Sequence, residues 1–217
     1  MSARELDINV VKKIQSGNIN AFGDIVELYK DRAFSLTLKI IRNREEAEDS
    51  LQEAFIKLYN AIKNKQYESK SKFSTYFYTI VYNTAVDYYR KFTSKRFNIT
   101  SIDVTDSSYR EGDELVKGFY EIKTDKENVI DDRNLNIDKN IEGNEIFTII
   151  NKYINCIPEH YSVILNMYYI NQLSHNEISE ILNLPEGTVK NRIFRAKGKL
   201  KELLLSKYTE EELMEYI

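Results

Sequence analysis

The 217-residue chain contains few of the residue types that constrain folds most strongly. Cys156 is the only cysteine, so no internal disulfide can form, and His160 and His175 are too few histidines for a structural zinc site. Two prolines and seven glycines argue against a turn-rich β-protein. No apolar run is long enough to cross a bilayer. These absences favour an all-helical protein that holds no metal or cofactor and does not insert into a membrane.

The remaining composition is ordinary for a folded protein, with 42% apolar and 30% charged residues. The length allows one domain or two small ones. Residues 1–20 carry mixed charges and lack the apolar stretch of a signal peptide, so we expect a cytoplasmic protein.

Charge is unevenly distributed, although the net charge is only -3. Residues 63–97 carry eight bases and two acids, and residues 187–207 carry seven bases and one acid. Both segments are candidate nucleic-acid surfaces. Between them, residues 98–145 carry six bases and thirteen acids without a sustained helical period. We interpret residues 98–144 as a linker between two domains, either a plain spacer or a segment with its own binding role.

Residues 173–205 have the pattern of a helix-turn-helix. Ser174 and Glu177 form a capping box for a short first helix, which Leu184-Pro185-Glu186-Gly187 ends. A second helix is predicted to start near Thr188. One side of it is apolar, with Val189, Ile193, Ala196, Leu200, Leu203 and Leu204, and the other carries Thr188, Asn191, Arg192, Arg195 and Lys199. One side can pack while the other enters a major groove; a solvated basic helix is the alternative.

Apolar stripes predict three helices before the linker. They run from Phe22 to Ile40, from Ala47 to Ile62, and from the cap Ser74 to about Lys91. The outer side of the second helix combines polar residues with a large aliphatic one: Asp49, Gln52, Glu53 and Ile56. Spacing alone favours a solvated face there over a docking face.

Aromatic and basic residues alternate around the third helix. They include Tyr67, Phe73, Tyr76, Tyr89, Phe92 and Phe97, together with Lys70, Lys72, Arg90, Lys91, Lys95 and Arg96. Rings that stack on bases, next to cations that hold the phosphate backbone, suit single-stranded DNA. We expect Phe77 and Tyr88 in the core, and Tyr67, Tyr76 and the rings after Tyr89 to be exposed.

Three segments in this order resemble a known family: AEDSLQEAFIKLYNAI, FSTYFYTIVYNTAVDYYRK and LSHNEISEILNLPEGTVKNRIFRAKGKL. They are similar to blocks of the extracytoplasmic-function sigma factors of bacterial RNA polymerase, and the resemblance covers residues 15–97 and 145–205. It implies an all-α protein of two small helical domains, residues 1–97 and 145–207, followed by an acidic tail at 208–217. The implied function is to bind core polymerase, recognise duplex DNA at the minus-thirty-five element and melt the minus-ten element.

The resemblance also implies site residues. The polymerase-binding face would be Asp49, Gln52, Glu53 and Ile56, which replaces the solvated-face interpretation. The minus-ten surface would be Tyr67, Lys70, Ser71, Phe73, Tyr76, Asn83, Asp87, Arg90 and Lys91. The minus-thirty-five surface would be Thr188, Lys190, Asn191, Arg192, Phe194, Arg195, Lys197 and Lys199, the last two mainly on the DNA backbone. Many members have Trp where this chain has Tyr76, so minus-ten affinity is expected to be weaker.

Partners follow from the same resemblance. They are the clamp helices of the largest polymerase subunit, the flap of the second largest, promoter DNA and an anti-sigma factor, and the free chain is expected to be a monomer. The sequence has no P-loop, nucleophile elbow or paired-carboxylate signature, so no enzymatic activity is expected. The unusually long acidic linker is hypothesised to thread a basic polymerase channel as a mimic of nascent RNA.

Two other functions remain open on sequence grounds. A stand-alone helix-turn-helix regulator would bind DNA without polymerase and would normally dimerise. An adaptor would bind polymerase but lack promoter melting.

Overall fold

The computed structural model describes residues 3–68, 70–100, 152–209 and 211. The helices are α1 (Ala3–Gln15), α2 (Ile19–Ile41), α3 (Arg44–Lys63), α4 (Phe73–Thr100), α5 (Glu159–Leu165), a π-helical turn (Asn166–Ile170), α6 (His175–Leu182) and α7 (Glu186–Leu205). Within these ranges there is no strand, and the all-helical class is confirmed. None of the described helices combines the length and the apolar character of a membrane span.

The N-terminal half, residues 3–100, is built on α2, α3 and α4. Asparagine side chains begin two of these helices: Asn18 Oδ1 accepts from the Ala21 amide (3.3 Å) and Asn43 Oδ1 from the Glu46 amide (3.1 Å). The apolar stripes meet in a core in which the rings of Phe55 and Phe77 stack with centroids 5.2 Å apart. This core holds the outer faces of α3 and α4 in fixed positions.

In the N-terminal half, helix boundaries differ from the sequence predictions at three places. Helix α1 was not predicted, because the charges of residues 1–20 obscure a short stripe that buries Val11 and Ile14. Helix α4 begins at Phe73, one residue before the predicted cap Ser74, and continues to Thr100. The first three residues of the predicted linker, 98–100, are therefore helical. The rest of the predicted linker and most of the predicted acidic tail lie outside the described residues.

The C-terminal half, residues 152–209, contains the predicted helix-turn-helix. The capping box is present: the Ser174 amide donates to Glu177 Oε2 (2.8 Å), and Ser174 Oγ accepts from the Glu177 amide (3.3 Å). Asn183 ends α6 in the left-handed conformation with φ of 50°. Helix α7 then starts at Glu186, two residues before the predicted Thr188.

The two halves share one hydrophobic core. Helix α2 packs against α5 and the π-helical turn, and α4 packs against α6. The sequence patterns predicted a helix-turn-helix and a helical bundle but gave no sign that the two would touch.

Lys39 lies on α2 and is only 7% exposed. Burial lowers the pKa of its ammonium group from 10.5 to about 7, an effect that the nearby charge of Arg42 reinforces and the Cys156 thiol opposes. A lysine in this position costs free energy at neutral pH, because the unfolded chain binds a proton there more tightly than the folded chain does.

Replacing Lys39 with methionine should therefore raise the free energy of unfolding at pH 7 by roughly 2 to 4 kcal/mol. The parent chain should become more stable from about pH 7 towards 10.5, since over that window only the unfolded state holds the extra proton. The Lys39→Met variant lacks this group, so its advantage should shrink as pH rises. Urea denaturation of both proteins at pH 7 and pH 9.5 measures the difference; an equal difference at both values would contradict the buried-amine account.

Candidate nucleic-acid and protein interfaces

Helix α7 presents the polar face that its sequence predicts. Val189, Ile193, Ala196 and Leu200 are buried against the rest of the C-terminal half. The opposite face carries the predicted DNA-contacting residues, exposed except for the half-buried Thr188 and Arg192: Thr188, Lys190, Asn191, Arg192, Phe194, Arg195, Lys197 and Lys199. The structure therefore places the whole predicted set on α7, around the part of the helix that is not packed against the core.

Phe194 is the most unusual residue on this face, with 77% of its surface exposed. Among the described residues it is the large apolar side chain with the greatest exposed fraction. Apolar side chains on a helix in the major groove contact the methyl group of thymine, which is the one apolar feature of that groove. The exposed ring thus fits a base-reading role.

The basic side chains of α7 are arranged by local contacts. Lys190 pairs with Glu186 (2.8 Å) and Lys199 with Glu202 (2.9 Å), each within the helix. Lys197 lies over two rings of the π-helical turn, 4.7 Å from the centroid of Tyr168 and 5.4 Å from that of Tyr169. The sequence did not predict this cation–π contact, which holds the Lys197 ammonium group beside the polar face of α7.

The second surface lies on α4 and the loop before it. Tyr67, which was expected to be exposed, is buried at 7% exposure, and so is its neighbour Phe73 at 2%. The Tyr67 hydroxyl donates to the Ser71 carbonyl (3.1 Å), and its ring packs edge-on against Phe73 and at 5.0 Å from Tyr76. The expectation that Tyr67 is exposed is therefore wrong. Tyr67 and Phe73 instead form the internal core of the loop, and half-buried Tyr76 remains the accessible ring.

A groove of about 480 Å³ lies between the end of α3 and the middle of α4. Its lining includes Lys57, Asn60, Asn64, Gln66, Tyr76, Ile80, Asn83 and Asp87. Four of these side chains are amides, each with both donors and acceptors, which suit the hydrogen-bonding edge of a base. Sequence reasoning named Tyr76, Asn83 and Asp87 but missed the others; the i, i+4 spacing of Asn60 and Asn64 at the end of α3 was the available signal.

Lys57 lines this groove, and further basic residues lie along α4 and in the loop before it. Lys57 Nζ donates to Thr84 Oγ1 (3.2 Å) and pairs with Glu53 (2.8 Å), which joins α3 to α4. Further along α4, Arg90 approaches Asp87 (3.9 Å) and Lys91 lies 5.9 Å from the centroid of Tyr88. In the second half of the loop before α4, Lys70 pairs with Glu68.

The third surface is the outer side of α3. Asp49, Gln52 and Ile56 are exposed, and Ile56 keeps 61% of its surface. Glu53 is half-buried because it turns towards α4, and its hydrogen bond with Lys57 holds the pKa of its carboxyl below the usual value. These four residues recur at helical spacing, so they form one face with an aliphatic side chain at one end.

Comparisons with known proteins agree with this arrangement. Residues 25–95 match the family model described as Sigma-70 region 2, and residues 148–200 match Sigma-70, region 4. The ECF RNA polymerase sigma factor SigW of Bacillus subtilis is 32% identical over 89% of this chain and 94% of that protein. The RNA polymerase sigma-H factor of Pseudomonas aeruginosa is 28% identical over 94% of this chain and 96% of that protein.

Two solved structures share the fold. CnrH in complex with the cytosolic domain of CnrY superposes with a TM-score of 0.57 at 17% identity, over 93% of this chain and 99% of that chain. The sigma factor RpoE in complex with the anti-sigma factor NepR from Bartonella quintana superposes with a TM-score of 0.57 at 16% identity, over 86% and 98%. At such low identity these similarities show the fold alone.

The buried position of Tyr67 leads to a stability prediction. Tyr67→Ala should lower the free energy of unfolding by roughly 3 kcal/mol, because it leaves a cavity between Phe73 and Tyr76. Tyr67→Phe keeps the ring, removes the hydroxyl that donates to Ser71 and should cost about 1 kcal/mol. Denaturation followed by circular dichroism measures both changes. If Tyr67→Ala were as stable as the parent chain, the ring would not be part of the core.

Proposed function

The chain belongs to the extracytoplasmic-function family of RNA polymerase sigma factors, and we propose that three faces of its helices, on α3, α4 and α7, carry out promoter-specific initiation. The observation that carries this assignment is that each face is accessible and differs in chemistry from the others. One is polar with an exposed aliphatic residue, one is an amide-lined groove with a ring, and one is a basic helix with an exposed phenylalanine.

We assign the minus-thirty-five element to α7. A helix-turn-helix places its second helix in the major groove with N-terminal residues at the base edges. Thr188, Asn191 and Arg192 lie in the first two turns of α7, and Phe194 and Arg195 follow. Lys197 and Lys199 lie further from the helix start, where they suit phosphates.

We assign the minus-ten element to the amide-lined groove and the neighbouring part of α4. A base turned out of the duplex needs a pocket with hydrogen-bonding groups for its edge and a ring on which to stack. Asn83, with Asn60 and Asn64 at the end of α3, supplies the hydrogen-bonding groups, and Tyr76 supplies the ring. The cations Lys70, Arg90 and Lys91 lie where the strand backbone would pass. Tyr67 and Phe73 act indirectly, by fixing the loop and the position of Tyr76.

We assign core polymerase binding to α3. An exposed aliphatic residue within a polar face is the usual composition of a protein interface centre and its rim. The clamp helices of the largest subunit are the proposed partner of this face, and the flap of the second largest subunit that of the C-terminal half. Because the structural neighbours CnrH and RpoE are complexes with CnrY and NepR, we propose that an anti-sigma factor restrains this chain too.

The proposed mechanism depends only on the free energy of binding to polymerase and to promoter DNA. Polymerase holds the two DNA-binding faces on one promoter, which raises the effective concentration of each face for its element. The polymerase supplies the chemistry, in the cytoplasm, and this chain itself forms or breaks no covalent bond. A stand-alone regulator would require only α7 and leaves the faces of α3 and α4 without a role.

Polymerase binding can be tested with a matched pair of variants. Ile56→Glu should weaken the affinity for core polymerase at least tenfold, because it replaces the exposed aliphatic side chain of the proposed interface with a charge. Leu28 on α2 is similarly exposed, at 71%, and has no assigned partner, so Leu28→Glu should bind as the parent chain does. Fluorescence anisotropy with purified core enzyme measures both affinities. Equal losses, or no loss for Ile56→Glu, would contradict the assignment.

Promoter melting can be tested on two templates. The double variant Tyr76→Ala with Asn83→Ala should bind core polymerase normally but lower run-off transcription from duplex promoters by roughly 5-fold to 150-fold, as expected for one lost stacked base. A template with a premelted minus-ten region should restore most of the yield. Permanganate reactivity of unpaired thymines reports opening directly. Unchanged opening on duplex DNA, or no rescue by the premelted template, would contradict the assignment.

A further inference from the structure

Cations lie along both edges of the exposed face of α7. Successive residues of an α-helix are about 100° apart, so one edge carries Arg195 and Lys199. The opposite edge carries Lys190, Lys197 and Lys201. A helix in the major groove has a phosphate backbone on each side of it. The two edges of α7 are therefore suited to different strands of the minus-thirty-five duplex.

Lys197 differs from two other lysines of α7 in what holds its ammonium group. Lys190 pairs with Glu186 (2.8 Å), and Lys199 pairs with Glu202 (2.9 Å). A carboxylate at such a distance offsets part of the charge that a phosphate would meet. In the part of the chain that the structure describes, no carboxylate pairs with Lys197.

Two tyrosine rings of the π-helical turn hold Lys197 instead. Its Nζ lies 4.7 Å from the ring centroid of Tyr168 and 5.4 Å from that of Tyr169. The two rings meet edge to face with centroids 5.0 Å apart, and the His175 ring stacks on Tyr168 at 5.3 Å. A tyrosine ring has no net charge, so it orients the ammonium group without neutralising it. Lys197 therefore keeps its full charge for DNA.

The π-helical turn places these two rings beside α7. The turn follows α5 directly, and α5 packs against α7. Met167 and Ile170 of the turn are buried in the core, whereas Tyr168 and Tyr169 are half-buried and reach Lys197. Single π-helical turns are often found at functional positions. A function for this turn is thus to present two consecutive rings to one side chain of the neighbouring helix.

The rings fix Lys197 but leave it accessible. The side chain is exposed, and among the described residues its three ammonium hydrogens have no acceptor. A phosphate oxygen can therefore bind them from the solvent side. Because the side chain is already restricted, binding costs it less conformational entropy than it costs a lysine that moves freely in water. Both effects strengthen a contact with the DNA backbone and do not depend on base sequence.

We propose that Tyr168 and Tyr169 are positioning residues for the minus-thirty-five contact: their rings hold the fully charged Lys197 ammonium group for a phosphate of one DNA strand. The proposal rests on the proposed function, since it assumes that α7 lies in the major groove of that element. The two rings act through Lys197 and read no base.

A double-mutant cycle tests the proposal in the holoenzyme of core polymerase and the full-length chain. The probe is a labelled duplex from a promoter that the holoenzyme transcribes, cut so that it ends before the minus-ten element. Fluorescence anisotropy at several salt concentrations measures the affinity. Lys197→Met should lower the affinity roughly fivefold and reduce the slope of log affinity against log salt by about 0.9, the value for one phosphate contact.

The ring substitution completes the cycle. Tyr168→Leu should lower the affinity roughly threefold in the parent chain, as expected for one lost cation–π contact, and should have no effect in the Lys197→Met background. Tyr169→Leu removes the more distant ring and should lower the affinity at most twofold. This second variant tests the same contact if circular dichroism shows that Tyr168→Leu does not fold.

Two further variants are matched controls. Tyr168→Phe keeps a ring beneath Lys197 and should bind the duplex as the parent chain does. Tyr153→Leu removes another half-buried ring of the C-terminal half, which contacts Tyr208 and lies beneath Lys152. It should also bind the duplex as the parent chain does, because it leaves the contact of Lys197 intact.

The outcomes separate this proposal from the function on which it rests. Equal losses from Tyr168→Leu in the parent and Lys197→Met backgrounds would show that the ring does not act through Lys197 and would overturn the proposal. No loss from either ring substitution, or an unchanged salt slope for Lys197→Met, would overturn it too. A parent holoenzyme that binds the duplex no better than one of shuffled sequence would instead refute the proposed function.

Discussion

The contact between the two halves of the chain, made by Asn166 and Asn171 across α2 and α4, is the constraint on which the arrangement of all other surfaces depends. Because of this contact, α7 of the helix-turn-helix is packed together with the amide-lined groove of α3 and α4, and is not joined to it by the linker alone. The outer face of α3 and the polar face of α7 stay accessible in this form. In this arrangement the polar face of α7 and the amide-lined groove belong to one packed body.

The contact between the halves combines an apolar core with buried amides. Burial of the apolar side chains supplies most of the free energy that holds the halves together. The buried amides add little net free energy to the contact, but they favour one alignment of the two halves, because any other alignment leaves more polar groups unpaired.

Much of this structure could be predicted from the sequence because its signals are local. The capping box of Ser174 and Glu177 and the apolar stripe of α7 locate the helix-turn-helix to within two residues. The burial of Tyr67 could not be predicted, since an aromatic ring among lysines looks exposed until Phe73 and Tyr76 close over it. Asn166 and Asn171 gave no signal either, because a π-helical turn has no sequence period and asparagine is usually a surface residue.

The distance between the halves, measured in the free chain and in the promoter complex, tests the central claim most directly. Spin labels at Leu28→Cys and Lys207→Cys, with Cys156→Ser to remove the native thiol, would report it by pulsed electron paramagnetic resonance. The account predicts one short distance distribution for the free chain and a distribution longer by tens of ångströms with core polymerase and promoter DNA. The same short distribution in the promoter complex would contradict it.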